Sequence, residues 1–210
     1  MKQPAPGTSC LLIASLFLLT ACSGVSVKGV GVANQQAYQQ RADIINTWSE
    51  WGLTGKISLD DGEEGGSGKL RWSVQDANSD LNFHSAFGRG AWHLQIRPGH
   101  AVLTEANGSQ QSASSVNGLI RERMGWPIPV EALQWWVRGL AAPGPVESQE
   151  MNSSGLLMKL TQFGWCVEFS RYDNGDIVPM PQRLDATMKD YRVKLAISQW
   201  QMSDNHVIQE

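Results

Sequence analysis

The chain has 210 residues and a formal charge of −3, from 17 Lys and Arg against 20 Asp and Glu. A mildly acidic composition with no run of basic residues excludes nucleic acid as a partner, because phosphate binding needs concentrated Lys and Arg. Nine tryptophans are many for this length, and a side chain so large and apolar is either buried or used against something apolar.

Met1 and Lys2 precede an apolar run from Leu11 to Leu19, closed by Leu19-Thr20-Ala21-Cys22, the three-part layout of a secretory signal. The run is far short of the roughly 20 residues that cross a bilayer as a helix, and Ala21 is small enough to admit a peptidase. Leu-Thr-Ala-Cys resembles the bacterial lipobox. That resemblance implies diacylglycerol on the Cys22 sulfur, cleavage after Ala21 and a third acyl chain on the new amino terminus; the competing reading is an ordinary secreted protein.

Residues 1–21 are thus read as a leader and Cys22 as the lipid attachment site. Cys10 leaves with the leader and Cys22 is consumed by lipid, so Cys166 has no partner for a bridge. The remaining 189 residues, at a charge of −4 once Lys2 is gone, suit one domain with a full core.

Residues 22–34 read as the lipidated cysteine and a flexible tether, reaching up to about 40 Å when extended. From Gln35 to Trp51 the positions Tyr38, Ala42, Ile45 and Trp48 fall at helical spacing and predict an amphipathic helix. The period then changes to two. Leu70, Trp72 and Val74; Leu81, Phe83 and Ser85; Trp92, Leu94 and Ile96; and Ala101 and Leu103 alternate with polar residues between Gly, Asp, Asn and Pro clusters, which predicts a meander of antiparallel strands.

Val116, Leu119, Ile120 and Met124 follow a Ser114-Ser115 start signal and predict a helix stopped by Gly125 and Pro127. Pro129 permits a new first turn, and Val130, Leu133, Trp136 or Val137, and Leu140 predict a second helix running toward Pro143-Gly144. Strands return at Leu156 to Leu160, Trp165 to Phe169, Arg183 to Ala186 and Tyr191 to Trp200. Residues 35–202 make the folded domain and 203–210 a polar tail.

A one-sided sheet must cover its apolar face, and the helices are the available cover. The expected class is therefore mainly β with helices (α+β): an incomplete antiparallel β-barrel under a helical lid, enclosing an apolar cavity. Leu70, Trp72, Leu81, Phe83, Leu94, Ile96, Leu119, Leu133 and Trp136 are the candidate cavity residues, although each would be apolar in a solid core as well. Met124 and Met158 are candidate adaptable lining.

Gly125 to Gly139, GWPIPVEALQWWVRG, resembles the Gly-x-Pro-Ile-Pro stretch, followed by Leu, Trp and Gly, of the outer-membrane lipoprotein-localisation receptor LolB family. Pro179-Met180-Pro181 with Arg192 to Trp200 is similar to that family's terminal strand. Gly55 in its first strand, Trp72 in its second and Ser85-Ala86-Phe87-Gly88 in a connecting loop extend the resemblance over residues 34 to 200.

The resemblance implies a lipid-anchored protein on the periplasmic face of the outer membrane. It would accept the acyl chains of triacylated lipoprotein cargo from the periplasmic carrier LolA and pass them to outer-membrane lipid, as a monomer without cofactor. It also implies that Phe87, with Ala86, forms a membrane-inserting loop, since Phe87 stands where the family carries an exposed hydrophobe in an Asn-Pro-Leu-Gly-like turn; the proline is absent here. Trp135 doubles the family's usual aromatic, and the stretch from Asp60 to Gly68 is unusually acidic and Gly-rich.

Each exposed methylene costs roughly 0.8 kcal/mol, so a triacylated protein cannot cross water unaided, and passing it between apolar cavities needs no catalytic residue. The chain has no Gly-x-Ser-x-Gly elbow. His84, His93 and His100 fall on separate predicted strands without a cysteine partner, the acidic stretch lacks the calcium-loop pattern, and Cys166 reads as a buried inert thiol. The alternative is a lipid-anchored barrel that binds another lipid or scaffolds an envelope complex; a lipid-modifying enzyme is a third reading.

Overall fold

The computed structural model describes residues 31–85, 90–175 and 177–202. The first helix, α1 (Val32–Asn46), buries Tyr38, Arg41, Ala42 and Ile45 along one stripe. It begins inside the stretch read as tether and ends five residues before Trp51. The Trp51 position belongs instead to the first strand, where Trp51, Leu53, Gly55 and Ile57 are buried in alternation.

Eleven strands follow in one antiparallel sheet. The first six, β1 (Glu50–Asp60), β2 (Gly65–Gln75), β3 (Asn78–Ser85), β4 (Ala91–Arg97), β5 (His100–Glu105) and β6 (Gln110–Ala113), form a meander of consecutive pairs. Two helices intervene, α2 (Val116–Met124) and α3 (Val130–Trp136). The chain then returns through β7 (Ser148–Met151), β8 (Leu157–Gln162), β9 (Trp165–Tyr172), β10 (Pro181–Met188) and β11 (Tyr191–Met202).

The strand order is β6-β5-β4-β3-β2-β1-β11-β10-β9-β8-β7. The sheet is open, with the short strands β6 and β7 at its edges, and α2 and α3 connect those edges. This is an open barrel with helices across the gap, as the alternation and the need for cover predicted.

Local chemistry accounts for the helix limits. The Ser115 side chain accepts from the Gly118 N–H at 3.3 Å, and Gly125 ends α2 with φ of 70°, a left-handed conformation that a residue without Cβ adopts at little cost. The second lid helix is shorter than its apolar stripe suggested. It ends at Trp136, and Leu140 lies beyond it in a turn held by the Leu140 N–H on the Trp135 carbonyl at 3.1 Å.

The core is one contiguous cluster on the inner face of the sheet. Pairing registers Leu53, Trp72, Leu81, Leu94 and Leu103 into a single row across β1 to β5, each no more than 4% exposed. Burying side chains of this kind stabilises by roughly 1.5–3 kcal/mol each. Gly68 on β2 allows close packing at the next level: a Cβ there would stand 2.6 Å from the Phe83 ring and 2.2 Å from the His84 carbonyl oxygen.

Candidate functional site

The nine candidate cavity residues come together. Leu70 and Trp72 on β2, Leu81 and Phe83 on β3, and Leu94 and Ile96 on β4 share the inner face because alternate residues of a strand point the same way. Leu119 on α2 and Leu133 and Trp136 on α3 meet them in the same cluster. Eight are buried and Ile96 is half-buried.

They pack closely in this arrangement. The Phe83 ring stacks on Trp92 at 5.2 Å and 16°. The indole N–H of Trp72 donates to the Ser79 hydroxyl at 2.7 Å, and that of Trp136 donates to the Gln162 Oε1 at 3.0 Å. Both tryptophans therefore present a satisfied polar tip and a large apolar body.

The cover is α2, which packs on β5, β6 and α3, together with α3 and the segment after it. Three groups hold that segment down. Gln162 on β8 accepts from the Ala142 N–H at 3.0 Å and donates to the Ala142 carbonyl at 2.7 Å. The Tyr38 hydroxyl accepts from the Ala141 N–H at 2.9 Å. The Arg41 guanidinium, buried on α1, donates to the carbonyls of Arg138 at 2.7 Å, Gly139 at 3.1 Å and Pro179 at 3.0 Å.

Sequence reasoning missed this latch, although its signal was present: Arg41 is three residues after Tyr38 and four before Ile45, inside an otherwise apolar stripe. Arg138 is buried beside it, with its guanidinium 4.8 Å from the Trp135 ring and 5.2 Å from the Trp51 ring. Trp135, the residue that doubles the family's usual aromatic, thus serves with Trp51 as a face of a cation–π contact to Arg138. Burial, with the Arg41 charge adding, pushes Arg138 down to about 10 from its ordinary 12.5, which leaves it charged at neutral pH. Burial also raises the Tyr172 phenol, against the opposing pull of Arg41, whose guanidinium lies 5.7 Å over that ring.

Other candidates fall differently. Met158 is 39% exposed on β8 and stands outside the core cluster, which Leu157 and Leu160 of the same strand join. The side chain of Met124 lies outside the described set. Cys166 is half-exposed rather than buried, since it sits between the inward-facing Trp165 and Val167 and so points to the outer face of β9. His93 pairs with Asp80 at 3.0 Å, and the same carboxylate takes Arg97 at 3.0 Å.

The acidic stretch is turn chemistry. Asp60 accepts from the Gly62 N–H at 2.9 Å, and Asp61 accepts from the N–H groups of Glu63 and Glu64 at 3.1 and 2.7 Å. Those backbone donors, Glu64 first, pull the Asp61 carboxyl below its usual range.

Cys22, Ala86 and Phe87 lie outside the described residues. The strands flanking positions 86–89 are closed by the Ser85 N–H, which donates to the Gly90 carbonyl at 2.9 Å. Among the described residues no helix is long and apolar enough to cross a membrane.

Comparison with known proteins places this architecture. A crystal structure from Vibrio parahaemolyticus, described as an outer membrane lipoprotein-sorting protein domain, superposes with a TM-score of 0.55 at 10% identity over 81% of this chain and 92% of its own, which shows a shared fold. The outer-membrane lipoprotein LolB of Pseudomonas putida strain GB-1 is 31% identical over 194 residues, 91% of this chain and 95% of its own length. That of Pseudomonas aeruginosa strain LESB58 is 31% identical over 91% and 94%. The family described as Outer membrane lipoprotein LolB matches residues 49–200, and the chain belongs to that family.

Proposed function

We propose that the protein is an outer-membrane lipoprotein receptor, held on the periplasmic face of that membrane by lipid on Cys22. It takes the acyl chains of lipoprotein cargo from the periplasmic carrier LolA into the apolar interior beneath α2 and α3, and releases them into outer-membrane lipid. No covalent bond is made or broken in the transfer, so the protein acts without catalytic residues or cofactor.

The observation that carries this reading is the cover itself. An open sheet places six large apolar side chains under two short helices that contribute three more, and under a following segment held by Arg41, Tyr38 and Gln162. A short segment held at a few polar points can lift as a unit, and lifting it opens the interior without unpairing the sheet. Acyl chains then replace lid contacts with cargo contacts at similar apolar solvation.

Phe87 and Ala86 supply the release step: at the connection between β3 and β4 they enter the bilayer and give the acyl chains a continuous apolar path. The test is transfer. The protein is mixed with a labelled triacylated lipoprotein on its carrier and crosslinked; label moving to this chain supports the reading, and label staying on the carrier while the domain is folded overturns it.

A further inference from the structure

Basic residues that are scattered along the sequence come into register on the face of the sheet away from the core. Across six strands, His84 on β3 pairs with Lys69 on β2, Lys69 with Lys56 on β1, Lys56 with Ala196 on β11, Ala196 with Arg183 on β10, and Arg183 with Arg171 on β9. All six are exposed, while Gly55, Ile57, Leu70, Phe83, Leu184 and Leu195 beside them in sequence are buried. At about 4.8 Å per strand the row spans roughly 24 Å. A cleft of about 950 Å³ runs along it, and its lining includes every member of the row and no acidic residue.

Two properties mark this row. It places like charges directly opposite one another, Lys56 against Lys69 and Arg183 against Arg171, an arrangement that destabilises a sheet. Among the described residues none of its cations forms an ion pair. The adjacent outward row, where Lys194, Asp185, Glu168 and Lys159 follow one another across β11 to β8, also sets like charges opposite, Asp185 against Glu168, but there they are paired with cations. There Lys159 pairs with Glu168 at 2.9 Å and Asp185 pairs with Arg192. The sheet neutralises one row and leaves its neighbour uncompensated.

We infer that this row is a docking surface for the phosphate headgroups of an anionic lipid bilayer. Cations spread singly over β2, β1, β10 and β9 suit several phosphates, each held by one or two side chains, better than they suit one small anion, which a convergent pocket would hold. Phosphates seated along the cleft relieve the repulsion between Lys56 and Lys69 and between Arg183 and Arg171. The row also ends at His84, two residues in sequence before Ala86, which the proposed function sets in the membrane; this last argument rests on that reading, whereas the charge argument does not.

The experiment uses the full lipidated protein in vesicles of phosphatidylcholine alone or with phosphatidylglycerol added. Lysines are labelled with an amine-reactive ester and read by mass spectrometry of peptides. Lys56 and Lys69 are expected to label several-fold more slowly in the anionic vesicles and to recover at about 0.5 M salt, where charge interactions reach only a few ångströms. Lys159 and Lys189 serve as controls and keep their rates.

Arg171→Ser with Arg183→Ser, checked for fold by near-ultraviolet circular dichroism, is expected to reduce the protection of Lys56 by about five-fold for each charge removed. Equal labelling in both vesicles overturns the proposal. Protection that appears only when the carrier protein is added also overturns it and assigns the row to an acidic protein face. Cargo transfer is scored in the same vesicles: protection without transfer keeps this surface and removes the receptor reading, and transfer without protection does the reverse.

Discussion

The Arg41 guanidinium donates to the Arg138 carbonyl at 2.7 Å, so that two buried arginines lie against each other, and among the described residues neither forms a direct ion pair, Asp173 acting on Arg41 only from a distance. Backbone carbonyls and aromatic faces make the close contacts that acids make elsewhere. The contact joins the first helix to the segment that leaves the lid, and three carbonyls of the lid segment and the β9–β10 connection depend on one side chain.

Arg41→Met should therefore loosen the lid before it unfolds the domain. Removing the donor leaves the Arg138, Gly139 and Pro179 carbonyls without their partner, a loss of about 2–4 kcal/mol, readable as a lower urea midpoint. Amide exchange should rise most for Gly139 to Ala142, while the β1–β11 amides change only with global stability. Uniform exchange across the sheet would remove the latch.

Alkali should destabilise the fold through its buried phenols. Tyr172 and Tyr38 are raised above the ordinary tyrosine value, mainly by burial, so above about pH 10 the unfolded chain releases protons that the folded chain retains. Their contribution is whole below pH 10 and is lost as pH rises beyond it, by about 1.4 kcal/mol per pH unit for each phenol. Tyr172→Phe should cost about 1 kcal/mol at pH 7, from its 2.8 Å bond to the Leu157 carbonyl, and should flatten the alkaline fall measured by urea unfolding at pH 9 to 11.

Phe87→Glu should separate acceptance from delivery. An acidic side chain at bilayer depth costs about 3 kcal/mol, so label reaching the membrane should fall roughly a hundred-fold while crosslinking of cargo to this protein is unchanged. Loss of acceptance as well would place Phe87 in the core.

A photoreactive residue at Leu94, Leu119 or Leu133 should crosslink to a cargo acyl chain, and one at Met158 should not, because Met158 is exposed and stands outside the core cluster. Equal labelling at Met158 would mean that cargo is not confined to the apolar interior.

What the sequence conveyed follows from what each segment buries. The strands β2 to β5 were legible because alternate residues face a core, and α2 was legible from Ser115 and Gly125. The edge strands β6 and β7 were not, since Gln110 to Ala113 and Ser148 to Met151 have no buried position between them and so carry no period. In β1, Trp51 falls where it also extends the helical spacing of α1, and Gly55 takes an inward position without an apolar side chain; only the family resemblance placed a strand there. The grouping of the apolar site was readable because residues two apart share a face. The basic row was not, because its members are neighbours only through pairing registers that no single strand contains.

Every strand pair except one joins neighbours in sequence; the exception is β1 with β11, where Trp51 meets Met202. The barrel is thus two hairpin meanders, β1 to β6 and β7 to β11, stitched along one seam between the first strand made and the last. Until the final strand arrives, β1 presents eleven residues of open hydrogen-bonding edge at the centre of the molecule. Such distant pairing forms slowly, so the protein's most vulnerable interval is its own birth, when the edge that will bear the core is still bare.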